Sequence, residues 1–260
     1  MSKIEEKLAK SLTADTIELI PYLPYLLQDL WELGSSPNDM VHLISKHILV
    51  TNETKVLDLA CGKGAVSIHI AKTFGCHVKG VDIMPEFIED AIRKAKEYGV
   101  EAICEFVVAD INISVEIEKD FDVVILGAVG EVLGNPEETL HKLSATIKTD
   151  GYVLLDDGYA ISESDAANLT KNKYLKQIKK AGFQLIEDLL VNEAEFIDVV
   201  EEQMEKLSIR TNELKKKHPK HAHLFDQYLK SQLAEIDELE NDLIGVTMLL
   251  KKAVVDDWFL

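Results

Sequence analysis

The chain has 260 residues, 47% of them hydrophobic, and a formal net charge of −18. This length suits one large α/β domain with an insertion, or two small domains, and no stretch approaches the roughly 18–20 apolar residues that span a bilayer. The acidic charge disfavours nucleic acid and anionic membranes as partners, because lysine and arginine contacts to phosphate dominate such binding. The first residues have no signal-peptide core, so we expect a cytoplasmic protein.

Residues 1–50 are predicted to form an N-terminal helical cap. Apolar residues recur at helical spacing from Ile4 to Ile48, and two prolines interrupt the pattern. Gly34 predicts the end of one helix, and Ser36 with Pro37 predicts the start of the next. The segment Leu33–Ser35 is expected near a bound ligand.

Strands are predicted to alternate with helices throughout residues 51–192. The predicted strands are 55–59, 77–81, 105–109, 121–126, 152–156 and 184–191, and the predicted helices are 65–74, 85–98, 136–147 and 168–181. Short apolar strands interleaved with helices of about 10–15 residues indicate a parallel sheet covered on both faces. This segment is therefore predicted to be a doubly wound, Rossmann-like core.

Two further segments follow the core. Residues 193–241 are charged, with apolar residues at helical spacing, and His218-Pro219 divides them into two predicted helices. We interpret them as a helical insertion or lid. Residues 242–260 contain the apolar run 244–250, which is predicted to be a final strand that returns to the sheet.

The strongest local signal is the run from Asp58 to Gly64, where a predicted buried strand meets a predicted helix. Its small residues Ala60, Gly62 and Gly64 let the backbone approach a ligand closely. Ligands of open α/β sheets bind at the carboxyl ends of strands. We therefore expect Asp58, Ala60, Gly62 and Gly64 to form a nucleoside-binding loop.

Two more carboxylates end the next two predicted strands. Asp82 is placed to accept hydrogen bonds from two ribose hydroxyls, and Asp110 to accept one from an adenine amine. Ile83 and Ile111 would supply apolar walls. Each aspartate alone is equally well explained as a turn or helix cap, but three at successive strand ends beside a glycine loop favour a binding site.

This constellation resembles the class I S-adenosylmethionine-dependent methyltransferase family. The runs 58–64 and 121–128, with Asp82 and Asp110, carry the resemblance. It implies a seven-stranded methyltransferase sheet whose last strand is antiparallel, with S-adenosyl-L-methionine as cofactor and S-adenosyl-L-homocysteine as product. It also implies that Asp82 holds the ribose, that Asp110 with Ile111 contacts the adenine, and that Gly127 and Ala128 lie near the sulfonium.

The run Gly127–Glu131 bears on the methyl acceptor. Methyltransferases that act on amines of nucleic-acid bases typically carry an Asn/Asp-Pro-Pro-aromatic motif there, so this departure favours a small-molecule acceptor. An in-line methyl transfer requires no dedicated catalytic residue. If a base is used, the candidates at strand ends are Glu131, Asp156, Asp157 and Tyr159.

Three aromatic residues of the cap, Tyr22, Tyr25 and Trp31, are candidates for substrate contact, and packing against the sheet is the alternative. No metal site is expected. Two other functions stay open. One is a cofactor-binding sensor or interaction protein without turnover, suggested by the lack of an obvious catalytic residue. The other is a nicotinamide-dependent oxidoreductase, which Ser67 disfavours because it stands where that fingerprint has its third glycine.

Overall fold

The computed structural model describes residues 3–163 and 168–253, except for the side chains of residues 193–195. The predicted cap therefore begins, and the predicted final segment ends, outside the described residues. Within these ranges every helix is too short or too polar to cross a lipid bilayer.

The N-terminal cap is less continuous than its pattern predicts. Helix α1 spans Lys3–Ser11, a 3-10 helix spans Ile17–Tyr22, α2 spans Leu23–Leu26 and α3 spans Pro37–His47. Residues 27–36 form no regular helix, so the prediction of helix over residues 27–33 is wrong, whereas the predicted break at Gly34 lies in this irregular stretch. The new start at α3 is confirmed, because the Ser36 side chain accepts a hydrogen bond from the Asp39 N–H at 3.2 Å and Pro37 occupies the first turn.

The alternation of strands and helices in the core is confirmed. The strands are β1 Lys55–Leu59, β2 His77–Asp82, β3 Cys104–Val108, β4 Phe121–Gly127, β5 Ile147–Ala160 and β6 Phe183–Leu190. The helices between them are α4 Ala65–Phe74, α5 Pro85–Tyr98, α6 Ile111–Ile117, α7 Pro136–Ser144 and α8 Lys171–Lys180. Strand β5 is much longer than predicted, and α6 was not predicted.

Helix α6 has a physical explanation. Residues 111–117 alternate apolar and polar side chains, a pattern typical of a strand. Asp110 nevertheless caps a helix there, because its Oδ1 accepts a hydrogen bond from the Asn112 N–H at 2.8 Å. Ile111 and Val115, four residues apart, then bury against the core.

Beyond the core, the two predicted insertion helices are α9 Glu193–Lys217 and α10 Ala222–Asn241, joined by a 3-10 turn at Pro219–His221. The final strand is β7 Leu243–Lys252. It runs antiparallel, as predicted, and lies between β5 and β6.

The described strands form one seven-stranded sheet in the order β3-β2-β1-β4-β5-β7-β6. Strands β1 to β5 pair in parallel. The chain leaves β1 toward β2 on one side, and later returns to β4 on the other. This reversal opens a crevice at the carboxyl ends of β1 and β4, the place where open α/β sheets bind ligands.

Three apolar clusters hold these layers together. One lies between the sheet and α6–α8, and includes Leu57, Val124 and Leu155. The second lies on the opposite face under α3–α5. The third joins the cap to α9 and α10 through residues such as Leu23 and Phe225, both fully buried. The cap and the helical insertion therefore form one layer beyond the strand ends.

Candidate active site

A cleft lies at the carboxyl ends of β1, β2 and β4, where open α/β sheets bind their ligands. Two walls enclose it. The strand-end wall comprises Ala60, Gly62, Asp82, Ile83, Met84, Phe87, Asp110, Ile111, Asn112, Gly127, Ala128, Val129 and Val132. The cap wall comprises Ile4, Lys7, Leu8, Ser11, Leu12 and Leu33.

The loop after β1 is shaped by left-handed backbone. Ala60 has φ 57° and Gly62 has φ 53°, and both line the cleft. A Cβ at Gly62 would lie 3.3 Å from Leu33 Cδ1, so glycine keeps room between the loop and the cap. Gly64 lies behind the cleft instead, where a Cβ would meet the Ala91 Cβ at 2.9 Å. Its small size serves the packing of α4 against α5.

Asp58 also lies behind the loop rather than in the cleft. It is buried, and its Oδ2 accepts a hydrogen bond from the Ser67 hydroxyl at 2.5 Å. Burial raises the pKa of the Asp58 carboxyl to about 7, and the nearby Asp82 and Asp156 carboxylates act in the same direction. Asp58 therefore organises the start of α4 from below the loop.

Asp82 lies on the strand-end wall and ties two backbone segments together. Its Oδ2 accepts a hydrogen bond from the Gly62 N–H at 2.9 Å, and its Oδ1 accepts one from the Met84 N–H at 2.8 Å. Burial raises the pKa of Asp82, while these N–H donors oppose the rise. Each carboxylate oxygen accepts more than one hydrogen bond, so the group keeps capacity for hydroxyl donors in the cleft.

Asp110 lies on the same wall beyond β3. Its Oδ1 caps α6, as the alternative interpretation of this residue proposed, and also accepts from the Asn112 side-chain amide at 3.0 Å. Asp110 can cap α6 and bind a ligand at the same time, because its Oδ2 takes no part in capping the helix. Ile83 and Ile111 line the cleft beside the two aspartates, so polar acceptors and flat apolar surface alternate along this wall.

The end of β4 meets the cap at close range. A Cβ at Gly127 would lie 2.1 Å from the Ser35 hydroxyl oxygen, and a Cβ at Gly34 would lie 2.7 Å from the Ala128 Cβ. Gly127 and Ala128 both line the cleft. The segment Leu33–Ser35 therefore closes the cleft beside β4, and its predicted place near a ligand stays a prediction.

Lys63 fastens the cap to the glycine loop, and the sequence pattern gave it no role. Its side chain is only 3% exposed, and its ammonium donates to the Leu27 carbonyl at 2.6 Å and the Leu30 carbonyl at 2.8 Å. Asp90 supplies a carboxylate 3.7 Å away. The apolar periodicity around Leu27 and Leu30 predicts a helix. It does not show that Lys63 donates to the carbonyls that are left without partners after the last helical turn.

A family model described as a methyltransferase domain matches residues 50–223. The chain belongs to the methyltransferase domain family. Human EEF1A lysine methyltransferase 2 is 24% identical over 161 residues, which are 62% of this chain and 66% of that protein. Phosphoethanolamine N-methyltransferase 1 of Triticum aestivum is 28% identical over 152 residues, 57% of this chain and 29% of that protein. The match thus spans less than two thirds of either relative.

Solved structures share the fold. A methyltransferase from Geobacter sulfurreducens, solved with S-adenosyl-L-homocysteine, has a TM-score of 0.75 at 17% identity, over 88% of this chain and 97% of that one. The [4+2]-cyclase SpnF has a TM-score of 0.68 at 14% identity, over 93% of this chain and 97% of that one. These likenesses establish the Rossmann-like methyltransferase architecture.

The four candidate bases predicted from the sequence do not line the cleft. Glu131 is exposed on the 3-10 helix Gly130–Val132, and Asp157 accepts a hydrogen bond from the Tyr174 hydroxyl at 2.6 Å. Tyr159 is buried and donates toward Met248 and Asp188. These groups are occupied in packing or face solvent.

Asp156 lies one strand beyond Gly127 and is more unusual. Its Oδ1 accepts from the Thr247 hydroxyl at 2.5 Å, while its Oδ2 is enclosed without a hydrogen-bond partner. Burial raises the pKa of Asp156 to about 6, and the side chains of Ser35 and Thr247, which favour the ionised carboxylate, oppose this rise. Asp156 and Asp157 are adjacent on one strand and point to opposite faces of the sheet, so they do not form a paired cation site.

Each of the three cap aromatics has a hydrogen-bond partner within the chain. The Tyr22 hydroxyl lies 2.8 Å from His221 Nδ1. The Tyr25 hydroxyl donates to Glu213 at 2.6 Å. Trp31 donates from its indole nitrogen to the Lys63 carbonyl at 3.0 Å. Tyr22 and Tyr25 fasten the cap to the helical insertion and Trp31 fastens it to the glycine loop, and none of the three lines the cleft.

Proposed function

We propose that this protein transfers a methyl group from S-adenosyl-L-methionine to a small-molecule nucleophile. The observation that carries the proposal is the strand-end wall, where Asp82 and Asp110 follow successive strands and alternate with Ile83 and Ile111 around a glycine loop. A nucleoside offers hydroxyl and amine donors beside a flat apolar ring, so this wall fits it.

Different residues of the strand-end wall would contact different parts of the cofactor. Asp82 would accept hydrogen bonds from the ribose hydroxyls, and Asp110 one from the adenine amine, between the side chains of Ile83 and Ile111. The absence of a side chain at Gly62 leaves room for the methionine portion. When bound, the cofactor supplies a methyl group activated by its sulfonium.

The chain's own contribution to the reaction is positioning and the exclusion of water. Gly127, Ala128 and Val129 line the cleft after β4 and offer no ionisable side chain. Holding two reactants in near-attack geometry contributes several kcal/mol, up to about 7–11 kcal/mol in well-oriented cases. A mechanism by positioning therefore accounts for methyl transfer without a dedicated base.

A small acceptor is favoured by the cap wall. Helix α1 and Leu33 cover the cleft on the side away from the strands, and four of their six lining side chains are aliphatic. A protein or nucleic-acid segment would have to displace this cover. The relatives are named for both kinds of acceptor, a small amine in the wheat phosphoethanolamine N-methyltransferase and a protein in the human EEF1A lysine methyltransferase, so the preference rests on the cap wall.

Calorimetry with S-adenosyl-L-homocysteine tests cofactor binding, and we expect saturable binding with one site per chain. No binding at millimolar ligand to folded protein would refute the proposal. A methyl-transfer screen over small amines, phenols, thiols and acids tests turnover.

A second candidate is a cofactor-binding protein without methyl transfer. It is favoured by one observation: among the described residues that line the cleft, the ionisable side chains are Lys7, Asp82 and Asp110, and we assign the two aspartates to the cofactor. One productive acceptor in the screen would exclude this candidate.

A further inference from the structure

The cap wall carries a single cation. Among the described residues lining the cleft, Lys7 is the positively charged one, and its neighbours on α1 are Ile4, Leu8, Ser11 and Leu12. An ammonium in largely apolar surroundings is stabilised by a partner of opposite charge. The position of Lys7 therefore bears on what the cleft accepts beside the cofactor.

The contacts of Lys7 leave donors available. Its Nζ donates to the Val132 carbonyl at 2.5 Å, whereas an ammonium carries three N–H donors. No described carboxylate lies within the 4.0 Å that defines an ion pair with this nitrogen. Glu5 and Glu6 share α1 with Lys7 but are exposed.

The location of this ammonium separates it from the nucleoside wall. Val132 lies five residues after the end of β4, on the segment that continues from Gly127 and Ala128. The resemblance places the sulfonium at Gly127 and Ala128. Asp82 and Asp110 instead follow β2 and β3. Lys7 is thus fixed to the segment that leads away from the methyl position.

We propose that the methyl acceptor is a small, mainly aliphatic or aromatic molecule with a carboxylate that pairs with Lys7 and a separate nucleophilic atom that reaches the methyl group. That atom would form the new bond to the methyl carbon as the C–S bond of the sulfonium breaks, S-adenosyl-L-homocysteine would leave, and a proton carried by the nucleophile would pass to water. This rests on the proposed function. The cleft is lined by one lysine and two aspartates, and the chain has a net charge of −18. A dianionic phosphate would therefore meet net repulsion, so a monoanion is favoured. An amine acceptor would place a second cation beside Lys7.

The test is calorimetry on protein saturated with S-adenosyl-L-homocysteine. The probes are hexanoate and benzoate, with hexanamide, benzamide, hexylamine and phenyl phosphate as isosteres of different charge. We expect at least one carboxylate to bind about ten-fold more tightly than its amide, since a charge-assisted hydrogen bond is roughly twice as strong as a neutral one.

Variants at position 7 locate the preference. Lys7→Met retains the apolar stem and should abolish the preference for carboxylate, whereas Lys7→Arg should retain it. Lys10→Met is the matched control, because Lys10 lies on the same helix, is exposed and does not line the cleft. It should behave as the wild type. Circular dichroism of each variant verifies that the fold is intact.

Several results would overturn the inference. They are equal binding of amide and carboxylate, tighter binding of hexylamine or phenyl phosphate, an unchanged preference in Lys7→Met, and no carboxylate binding at millimolar concentration. Weaker binding of S-adenosyl-L-homocysteine itself in Lys7→Met would assign Lys7 to the cofactor's carboxylate instead. If the wild type does not bind S-adenosyl-L-homocysteine at all, the proposed function fails first, so the two failures are distinguishable.

Discussion

The two walls of the cleft are built in different ways. The strand-end wall consists of residues that directly follow β1, β2, β3 and β4, so each position is set by its own strand. The cap wall consists of α1 and Leu33, which contact the core through residues far away in sequence. The strand-end wall is therefore formed by residues close in sequence to their strands, and it includes the carboxylates of Asp82 and Asp110. The cap wall is assembled by tertiary packing and is mostly aliphatic.

This difference assigns separate tasks to the walls. In our proposal the strand-end wall holds the cofactor and the cap wall contacts the acceptor. Lys63 connects the two walls, because it belongs to the glycine loop and holds carbonyls of the cap. If the two walls have separate tasks, a substitution in one wall should leave the task of the other unaffected.

The largest effect is expected from Lys63→Met. The carbonyls of Leu27 and Leu30 would lose their buried donor and Asp90 its cation, so we expect the free energy of unfolding to fall by about 3 kcal/mol. Urea denaturation measures it. Lys96→Met, on the exposed face of α5, is the control and should change stability by less than about 0.5 kcal/mol. Equal effects of the two changes would show that the cap is not anchored through Lys63.

Asp82→Ala tests the strand-end wall. Removing the carboxylate should weaken binding of S-adenosyl-L-homocysteine roughly 100-fold, about 2.7 kcal/mol. Glu86→Ala makes the same charge change at an exposed position nearby and should leave the affinity unchanged. Since Asp82 also binds the Gly62 and Met84 amides, Asp82→Asn, which keeps an acceptor, should give an intermediate loss. An unaltered affinity in Asp82→Ala would remove its assigned role.

The buried Asp58 predicts a pH dependence of stability. Its pKa is raised to about 7 in the fold, against about 3.9 in the unfolded chain. Between these values the folded protein binds a proton that the unfolded chain releases, so the free energy of unfolding falls as pH rises and levels off above about pH 7.

Asp58→Asn removes this titration. Its stability relative to wild type should increase by about 2 kcal/mol between about pH 5 and about pH 8. Urea denaturation of both proteins at each pH measures the difference, and Asp156, whose pKa is also raised, is present in both proteins and cancels. A difference that is constant with pH would contradict the assignment.

Gly127→Ala gives the smallest of these effects and tests the contact between the walls. The added Cβ would meet the Ser35 hydroxyl at 2.1 Å, and because this hydroxyl can rotate away we expect the lower end of the cost of overpacking, about 1 kcal/mol. Gly158→Ala is the matched control on β5, since its Cβ would lie 3.4 Å or more from Leu243. If Gly127→Ala and Gly158→Ala are equally stable in thermal unfolding, the Leu33–Ser35 segment moves away from β4 without cost and does not close the cleft.

The sequence was informative where structure is local. Short apolar strands, glycines and carboxylates after strand ends predicted the sheet, and eight of the ten residues that were predicted to bind the cofactor line the cleft. It failed where local patterns are ambiguous. The alternation in residues 111–117 concealed α6, whose start depends on one capping hydrogen bond from Asp110.

Contacts between residues far apart in sequence were also not predicted. Tyr22 and Tyr25 were candidates for substrate contact, and their hydroxyls bond to residues 199 and 188 positions away. Lys63 bonds to carbonyls 36 and 33 positions away. Nothing in the local pattern of either segment specifies such a partner, and the same is true of Lys7 and Val132, which are 125 positions apart.

The central claim is that a nucleoside cofactor binds between these two walls with its ribose on Asp82. A crystal structure of the complex with S-adenosyl-L-homocysteine tests it most directly. We expect the ribose hydroxyls on the Asp82 carboxylate, the adenine between Ile83 and Ile111, and the sulfur beside Gly127 and Ala128, with Lys7 free of the cofactor. A ligand bound elsewhere, or a ribose that does not contact Asp82, would contradict the account.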